Sequence, residues 1–339
     1  MLTNWDHVEE IFHAALEVPT HIRASRLTEL CGDSLSLRAE VDSLLALECA
    51  SIELLHEPAG KLAAELLALE RPLLEVGMRV ANYRIISLLG KGGMGEVYLA
   101  EHTIDCRHTA LKVLPRRLAS TTYWLRRFAR EARTTAAINH PNVVQVYEYG
   151  HYTHGCFIAM EYIEGQTLRA AIANRLPIHT ALNVICQIAD ALAAAHKLGI
   201  IHRDIKPDNL IIRGDGIVKI LDFGLALHEI EKQDPAESAS GTVNYMSPQQ
   251  LCGQIANAAS DIFSLGIIAY ELLTGAHPFR GDTNAALMQS IEHTLPAPPN
   301  SIEPAIPSHI SALVETMLAK DPGARPTAEG VACKAGLLF

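Results

Sequence analysis

The sequence has few charged residues and no excess of positive charge. Charged side chains make up 19% of the 339 residues, whereas 49% are hydrophobic. This composition excludes a mostly disordered chain, because such chains combine low hydrophobicity with high charge density. Asp and Glu number 38 against 28 Lys and Arg, which gives a formal net charge of −10. Non-specific nucleic-acid binding needs a basic face, so we expect no nucleic-acid partner.

Paired cysteines and long apolar runs are also missing. The seven cysteines are scattered and include no C-x-x-C pair, which argues against a disulfide framework and a zinc ribbon. A membrane helix needs about 18 uninterrupted apolar residues, and the most apolar stretches, 181–201 and 262–274, contain charged residues. The N-terminus lacks the basic and apolar regions of a secretory signal. We therefore expect a cytoplasmic protein with no membrane partner.

The pattern of residues changes at about position 80, which suggests two domains. Residues 1–80 have apolar residues at three- and four-residue spacing, interrupted by proline and glycine, and this predicts a set of short helices. Nothing in residues 1–80 points to chemistry, so we predict a packing or docking module that could bind a partner or self-associate. Residues 81–339 would form a second, larger domain.

Strands precede helices in the second domain. Runs of β-branched and aromatic residues predict strands at 83–89, 95–101, 109–114, 143–149 and 156–162. Helices are expected at 122–138, 179–198 and 260–274. This order favours an α+β fold with a small sheet lobe and a larger helical lobe.

A glycine-rich segment follows the first of these strands. Gly90, Gly92 and Gly95 have the spacing G-x-G-x-x-G, and Val97 follows two residues later. Glycine allows backbone N–H groups to approach phosphate oxygens that a Cβ would obstruct. A dinucleotide-binding segment would lead into a helix, whereas residues 97–100 continue as a strand. The pattern therefore favours a phosphate-binding hairpin.

Lys112 lies within an apolar predicted strand. A strand lysine commonly points to solvent, but it could instead contact nucleotide phosphates and be held by a carboxylate. Glu131, on the following predicted helix, could supply that carboxylate. Taken alone, Glu131 would be an ordinary surface residue of a helix.

The strongest pattern is I-H-R-D-I-K-P-D-N-L at 201–210, followed by D-F-G at 222–224. Phosphoryl transfer requires a carboxylate to orient the attacking hydroxyl, oxygen ligands for magnesium, and cations for the developing charge. Asp204 could orient the hydroxyl. Asn209 and Asp222 could bind magnesium, and Lys112 and Lys206 could supply the cations. Each could alone be a turn or capping residue, but the set in this order indicates a phosphotransfer site.

With these motifs, residues 82–337 resemble the protein-kinase family, in particular bacterial members of the eukaryotic-like Ser/Thr type. The resemblance implies the two-lobed protein-kinase fold, here with an N-terminal helical extension. It also implies ATP and Mg²⁺ as cofactors and proteins bearing Ser or Thr as substrates. Lys206, two residues after Asp204, is typical of the Ser/Thr form of the catalytic loop rather than the tyrosine form.

The resemblance also implies a role for each matching residue. The residues implied for ATP binding are Leu89, Gly90, Gly92, Gly95, Val97, Ala110, Lys112, Met160, Glu161, Ile163 and Ile211. Among them, Lys112 would contact the α- and β-phosphates and pair with Glu131. Met160 would be the gatekeeper before a hinge at 161–163, and Ala110 and Ile211 would enclose the adenine.

For catalysis, the resemblance implies that Asp204 is the base and that Lys206 contacts the γ-phosphate. Asn209 and Asp222 would be the magnesium ligands. Further along, Asp261 would bond the backbone of the catalytic loop. Gln249 stands where the family usually has a glutamate that pairs with the arginine matched by Arg325. We expect this change to weaken the pairing without loss of catalysis, because the amide oxygen still accepts a hydrogen bond.

Residues 225–246 resemble the activation segment of the family, and this segment suggests regulation. In this family an arginine at the position of Arg203 commonly awaits a phosphate on that segment. Ser238 and Ser240 are candidates for autophosphorylation, and Thr242 would line the substrate hydroxyl; both serines could instead be ordinary loop residues. Two alternatives to a protein kinase stay open: a nucleotide-binding pseudokinase that acts as a scaffold, and a small-molecule kinase of related fold.

Overall fold

The computed structural model describes residues 72–92, 95–119, 122–153, 155–223 and 243–336, with Leu27, Leu30, Cys31, Ser34 and Arg38. The chain divides into two units, Met1–Pro72 and Leu73–Phe339. In the first unit, Leu27, Leu30, Cys31 and Arg38 are helical. The rest of the helical module predicted there lies outside the described residues. The boundary predicted at residue 80 stays a prediction.

The second unit begins with a six-stranded antiparallel sheet in the order β1-β2-β3-β4-β6-β5. Its strands are β1 (Arg79–Val80), β2 (Tyr83–Gly92), β3 (Gly95–His102), β4 (His108–Pro115), β5 (Val146–Tyr152) and β6 (Gly155–Glu161). Two helices, α1 (Arg116–Ala119) and α2 (Thr122–Ala136), connect β4 to β5.

Each face of this sheet has its own apolar cluster, because side chains alternate along a strand. Ala110 and Leu114 of β4 pack with Phe128 of α2 on one face. Leu111 and Val113, their neighbours in the chain, belong to a cluster on the other face. The face toward α2 is therefore the one on which Lys112 also lies.

The second lobe is mainly helical. A small antiparallel sheet consists of β7 (Gly165–Thr167), β8 (Leu210–Arg213) and β9 (Val218–Ile220). The helices are α3 (Leu168–Ala173), α4 (Ile178–Lys197), α5 (Pro248–Leu251), α6 (Ala258–Thr274), α7 (Asn284–His293), α8 (Pro299–Ile302), α9 (Ser308–Met317) and α10 (Ala328–Gly336). The α+β arrangement of a sheet lobe followed by a helical lobe is confirmed.

Helix α6 forms the centre of this lobe. Every residue from Ser260 to Thr274 is buried, so the helix contacts other protein on all sides. Asn257 caps its first turn, accepting a hydrogen bond from the backbone N–H of Ser260, and Gly275 ends the helix in the left-handed conformation with φ 71°. Such a helix is a rigid platform for whatever its side chains hold.

Helix α4 is long and apolar enough to cross a membrane by length and composition. However, 56% of that stretch is buried inside the protein, as expected for a core helix. Among the described residues it is the one candidate of this kind, and it is weak evidence for a membrane span.

One local prediction was wrong. The strand expected at 143–149 is shifted to Val146–Tyr152, because Val143 and Val144 instead bond to Ile220 of β9.

A buried arginine links the end of the helical lobe to α5. Arg325 donates hydrogen bonds to the backbone oxygens of Ala319, Lys320 and Ala259, and to Oε1 of Gln249 at 3.1 Å. Burial lowers the pKa of Arg325 to about 10. Nε2 of Gln249 is buried with no hydrogen-bond partner in the described part of the chain. The predicted hydrogen bond is present, and no carboxylate of the described residues forms an ion pair with Arg325.

We expect the substitution Gln249→Glu to stabilise the fold. A carboxylate would replace an unpartnered buried N–H₂ group and compensate the buried charge of Arg325, which corresponds to about 1 to 2 kcal/mol. Urea unfolding measures this difference.

The neighbouring Gln250→Glu is the matched control, with the opposite sign expected. Nε2 of Gln250 donates to the backbone oxygen of Arg203 at 2.9 Å, and a carboxylate there would repel that oxygen. A Gln249→Glu variant no more stable than the wild type would contradict the account.

Candidate active site

The glycine-rich segment forms a hairpin, as predicted. Strands β2 and β3 stay paired as far as Gly92 and Gly95, while Gly93 and Met94 lie outside the described residues. Gly95 has φ 150°, and a Cβ there would lie 2.0 Å from the backbone oxygen of Val113. The hairpin therefore requires glycine at this position. Leu89 is exposed on β2, one residue before Gly90.

The residues implied for the adenine lie on neighbouring strands. Ala110 of β4 is the register partner of Met160 of β6, and Val97 of β3 packs against the cluster that contains both. Ile163, just beyond β6, is buried. Ile211 lies on β8 in the small sheet of the second lobe and is half-buried. The structure thus provides an apolar surface on the sheet beside Lys112.

Lys112 joins three separate elements. Its Nζ lies 2.5 Å from Oε1 of Glu131 on α2, and 3.0 Å from Oδ2 of Asp222 just after β9. Glu131 is 4% exposed, so the pair is shielded from solvent. A strand lysine pointing to solvent is thereby excluded.

The two carboxylates determine the charge of Lys112. Burial disfavours its ammonium group, but Asp222 and Glu131 outweigh that effect and raise the pKa of Lys112 above its ordinary value. Lys112 is therefore a fixed cation. Asp222, whose side chain is 35% exposed, is the more accessible of its two partners.

Asp204 lies at the centre of the catalytic loop. Its Oδ2 is 2.8 Å from Nζ of Lys206 and 3.2 Å from Nδ2 of Asn209. The same Nδ2 atom donates to the backbone oxygen of Asp204 at 2.9 Å. The sequence predicted all three residues, and the structure brings them together around one carboxylate.

The backbone of this loop is held from below by Asp261 of α6. Asp261 accepts hydrogen bonds from the backbone N–H groups of His202 at 2.9 Å and of Arg203 at 2.8 Å. Arg203 has φ 71°, an unfavourable conformation for a side chain with a Cβ that must be stabilised by its surroundings. The sequence predicted this contact. It missed His196 of α4, whose Nε2 lies 2.8 Å from Oδ2 of Asp261.

The aromatic ring of Phe223 connects the loop to the segment after β9. Its centroid lies 4.9 Å from that of His202, and both side chains are fully or almost fully buried. Burial lowers the pKa of His202, so the imidazole is neutral and serves as packing. Asp222 directly precedes Phe223, and Asp204 lies two residues after His202. The ring contact therefore links the segment that carries Asp222 to the loop that carries Asp204.

The guanidinium of Arg203 is short of partners. Its Nε and Nη1 atoms are buried and make no hydrogen bond within the described residues. Burial, and next the charge of Arg130 on α2, lower the pKa of Arg203. The charge of Asp261 opposes both effects, and the sequence did not predict the part played by Arg130.

Glu161, in the predicted hinge, makes a contact that the sequence did not suggest. Its Oε2 lies 2.8 Å from Nζ of Lys219 on β9, and Lys219 is 8% exposed. The hinge is therefore bonded to the strand that leads to Asp222. An isolated strand lysine gives no signal of this partner, which lies 58 residues away in the chain.

No metal site is complete on its own. Among the residues that the structure describes, no group of three or more His, Cys, Asp or Glu side chains could hold a metal ion. Asn209 and Asp222 are the residues that the sequence predicts as oxygen ligands for magnesium.

Comparison with known proteins agrees with this geometry. Residues 83–335 match the family model of the protein kinase domain. A crystal structure of the PknI kinase domain from Mycobacterium tuberculosis superposes with a TM-score of 0.59 at 26% identity, covering 77% of this chain and 97% of that one.

Curated relatives are bacterial serine/threonine-protein kinases. PrkC of Bacillus subtilis is 39% identical over 253 residues, which are 73% of this chain and 39% of PrkC. PknA of Mycobacterium tuberculosis is 36% identical over 272 residues, which are 76% of this chain and 62% of PknA. The chain therefore spans less than two thirds of the length of these relatives.

Removal of the Lys112 charge should make stability depend on pH. Burial and Asp222 raise the pKa of Glu131, and Lys112 opposes them. In Lys112→Met the pKa of Glu131 rises further, so the variant is most stable where Glu131 is protonated and loses stability as pH rises through that pKa. Urea unfolding from pH 5 to 8 should show an added loss of about 3 to 5 kcal/mol at the upper end.

The double variant Lys112→Met/Glu131→Gln is the control, because it has no carboxyl group to titrate at this position. Its stability should not show the added loss toward pH 8 that is expected for Lys112→Met. Parallel profiles for Lys112→Met and the wild type would contradict the proposed burial of this ion pair.

Proposed function

Because the chain belongs to the protein kinase domain family, in its bacterial serine/threonine group, we propose that it transfers the γ-phosphoryl group of ATP to Ser and Thr hydroxyls of proteins. Members of this family use ATP with a divalent metal. The observation that carries the proposal is the contact of Lys112 with both Glu131 and Asp222. It joins the sheet, α2 and the segment after β9 at one point.

In the proposed reaction, Asp204 orients the substrate hydroxyl and accepts its proton. The hydroxyl oxygen forms a bond to the γ-phosphorus as the bond to the β-phosphate oxygen breaks, and ADP leaves. Lys206 is suited to stabilise the transferred group, since its Nζ already lies beside Asp204 at 2.8 Å. Asp204 and Lys206 are largely buried, which strengthens their electrostatic effect.

Asn209 and Asp222 are the proposed ligands of Mg²⁺. Nδ2 of Asn209 makes its two hydrogen bonds to Asp204, which orients the amide and would leave its oxygen to bind the metal. Oxygen donors of this kind suit magnesium. When bound, the metal would neutralise phosphate charge.

The nucleotide site proposed from the family extends along the sheet. The backbone of the glycine hairpin at Gly90, Gly92 and Gly95 would cover the phosphates, and Lys112 would contact the α- and β-phosphates. Leu89, Val97, Ala110, Met160, Glu161, Ile163 and Ile211 remain the proposed residues around the adenine. Burial of Ala110, Met160 and Ile163 supports this, since an adenine ring needs an apolar surface.

A pseudokinase scaffold is not favoured. A pseudokinase would lack one or more of four decisive side chains. All four are present here: Lys112, Asp204, Asn209 and Asp222. A small-molecule kinase is disfavoured by the Asp204-x-Lys206 spacing and by the long segment at 225–250. Two further proposals concern the chain as a whole: a cytoplasmic location, and a docking or self-association role for residues 1–80.

Autophosphorylation is part of the proposal. The Nε and Nη1 atoms of Arg203, buried without a hydrogen-bond partner among the described residues, and the nearby charge of Arg130 are suited to a phosphate, because such a group would supply charge-assisted hydrogen bonds. Ser238 and Ser240 are the proposed acceptors. They lie outside the described residues.

We expect Asp204→Asn to abolish phosphate transfer and leave nucleotide binding intact, since the amide cannot accept the proton. Loss of about a hundred-fold or more in kcat is the expected size. Transfer from γ-labelled ATP to a generic protein substrate measures it. Asp215→Asn, which alters an exposed ion pair with Arg213, is the control. Equal signals from wild type and Asp204→Asn would favour the scaffold.

Mass spectrometry after incubation with ATP and Mg²⁺ tests the autophosphorylation. We expect phosphate on Ser238 or Ser240 of the wild type and none on Asp204→Asn. Wild-type protein that transfers phosphate to other proteins, yet carries none on either serine, would rule out this part of the proposal.

A further inference from the structure

Glu96 is a buried carboxylate directly behind the glycine hairpin. It lies in β3 between Gly95 and Val97, and it is 6% exposed. Its Oε2 accepts hydrogen bonds from the backbone N–H of Leu73 at 2.7 Å and from the hydroxyl of Tyr98. Its Oε1 lies 3.2 Å from Nζ of Lys91. A strand glutamate on the surface would not collect three donors.

The position of Glu96 relates it to the nucleotide site without placing it there. Val97 packs against the cluster of Ala110 and Met160 on the face toward α2. Tyr98 belongs to the cluster on the opposite face. Because side chains alternate along a strand, Glu96 lies on the same side as Tyr98, behind the hairpin.

The ion pair with Lys91 crosses the hairpin close to its tip. Lys91 and Glu96 are register partners of β2 and β3, and the next pair is Gly92 with Gly95. Glycines have large conformational freedom that binding must restrict. Among the described residues, the Lys91–Glu96 pair is therefore the side-chain link that lies directly beside Gly92 and Gly95.

A second connection leads from Glu96 to residues 73–78, which we term the strap. Besides the bond from Leu73, the N–H of Leu74 donates to the hydroxyl of Tyr98 at 2.9 Å, and the Leu74 side chain is buried against Tyr98's cluster. At its other end, the strap exchanges backbone hydrogen bonds with Ile85 of β2 through Gly77 and Met78. The strap is thus fixed to both strands of the hairpin.

Glu96 is ionised in this setting. Burial would raise its pKa, but the hydrogen bonds from Tyr98, Leu73 and Lys91 outweigh burial and keep the pKa below its ordinary value. The carboxylate is therefore charged at neutral pH and can hold all three donors.

We propose that Glu96 is a positioning residue for the nucleotide: it joins Lys91 and the strap, and so holds the two arms of the glycine hairpin in the geometry that binds phosphates. This rests on the proposed function only in that the hairpin binds ATP. Glu96 does not touch the nucleotide. It acts through the backbone of Gly92, Gly95 and Val97.

Glu96→Gln tests the link to Lys91. The amide oxygen can still accept from Leu73 and Tyr98, but the N–H₂ group faces the ammonium. We expect nucleotide affinity to fall about three-fold, with KM for ATP raised by the same factor and kcat and KM for the protein substrate unchanged. Binding is measured directly with a fluorescent ADP analogue and Mg²⁺, which requires no phosphate transfer.

Glu101→Gln is the matched control. Arg84 and Glu101 form another ion pair between register partners of the same two strands, at the end away from the glycines. Loss of that pair should leave the nucleotide affinity as in the wild type. Equal affinities for Glu96→Gln and Glu101→Gln would overturn the role of the Lys91 link.

The strap is tested separately, so that the proposal does not depend on one variant. Leu73→Pro removes the N–H that bonds to Glu96, whereas Leu73→Ala removes only the side chain, which is half-exposed. We expect nucleotide affinity to fall about five-fold in Leu73→Pro and to stay unchanged in Leu73→Ala. In the double variant with Glu96→Gln the losses should be less than additive, because the two changes disturb one carboxylate.

The outcomes separate this inference from the proposed function. Weaker ADP binding in Glu96→Gln and Leu73→Pro, without any transfer in the wild type, would support the inference and contradict the function. Normal transfer in the wild type, with nucleotide affinity unchanged in both variants, would overturn the inference alone. If thermal unfolding shows that a variant is folded, and that variant binds nucleotide as the wild type does, the result contradicts the inference.

Discussion

The structure depends on one buried cation held between two carboxylates. The ammonium of Lys112 contacts Glu131 and Asp222 at once, and a buried charge of this kind is tolerated only when its partners are in place. Because the three residues come from β4, α2 and the segment after β9, the pairing fixes the sheet, the helix and the second lobe relative to one another within this unit. The position of the candidate phosphate site follows from that constraint.

A second carboxylate, that of Asp261, holds the catalytic loop in place. Asp261 projects from the buried part of helix α6 and accepts hydrogen bonds from two successive backbone N–H groups, so the loop keeps a backbone conformation that Arg203 would not adopt alone. These hydrogen bonds also fix the position of Asp204, which directly follows Arg203. Loop residues that carry chemistry are thus placed by a rigid helix beneath them.

The sequence predicted the residues that cluster around Lys112 and Asp204 better than it predicted the contacts that hold the surrounding elements in place. The residues around Lys112 and Asp204 were found because each motif restricts residue type for a stated reason, and the sheet and helices because their apolar periodicity is strong. The shift of the strand at 143–149 could not be foreseen, since Val143 and Val144 are captured by β9, about 76 residues away. The role of Glu96 was missed because a glutamate in an alternating strand normally faces solvent, and its donor Leu73 is 23 residues distant. Partners of this kind exist only in the folded chain.

Asp222→Asn provides the most direct test of the central claim, because Asp222 alone is assigned both to Lys112 and to the metal. Phosphate transfer from γ-labelled ATP to a protein substrate should be measured over a titration of Mg²⁺. The account predicts a loss of about a hundred-fold or more in transfer, with a higher Mg²⁺ concentration needed for whatever activity persists. Transfer at the wild-type rate, with the wild-type dependence on Mg²⁺, would contradict it.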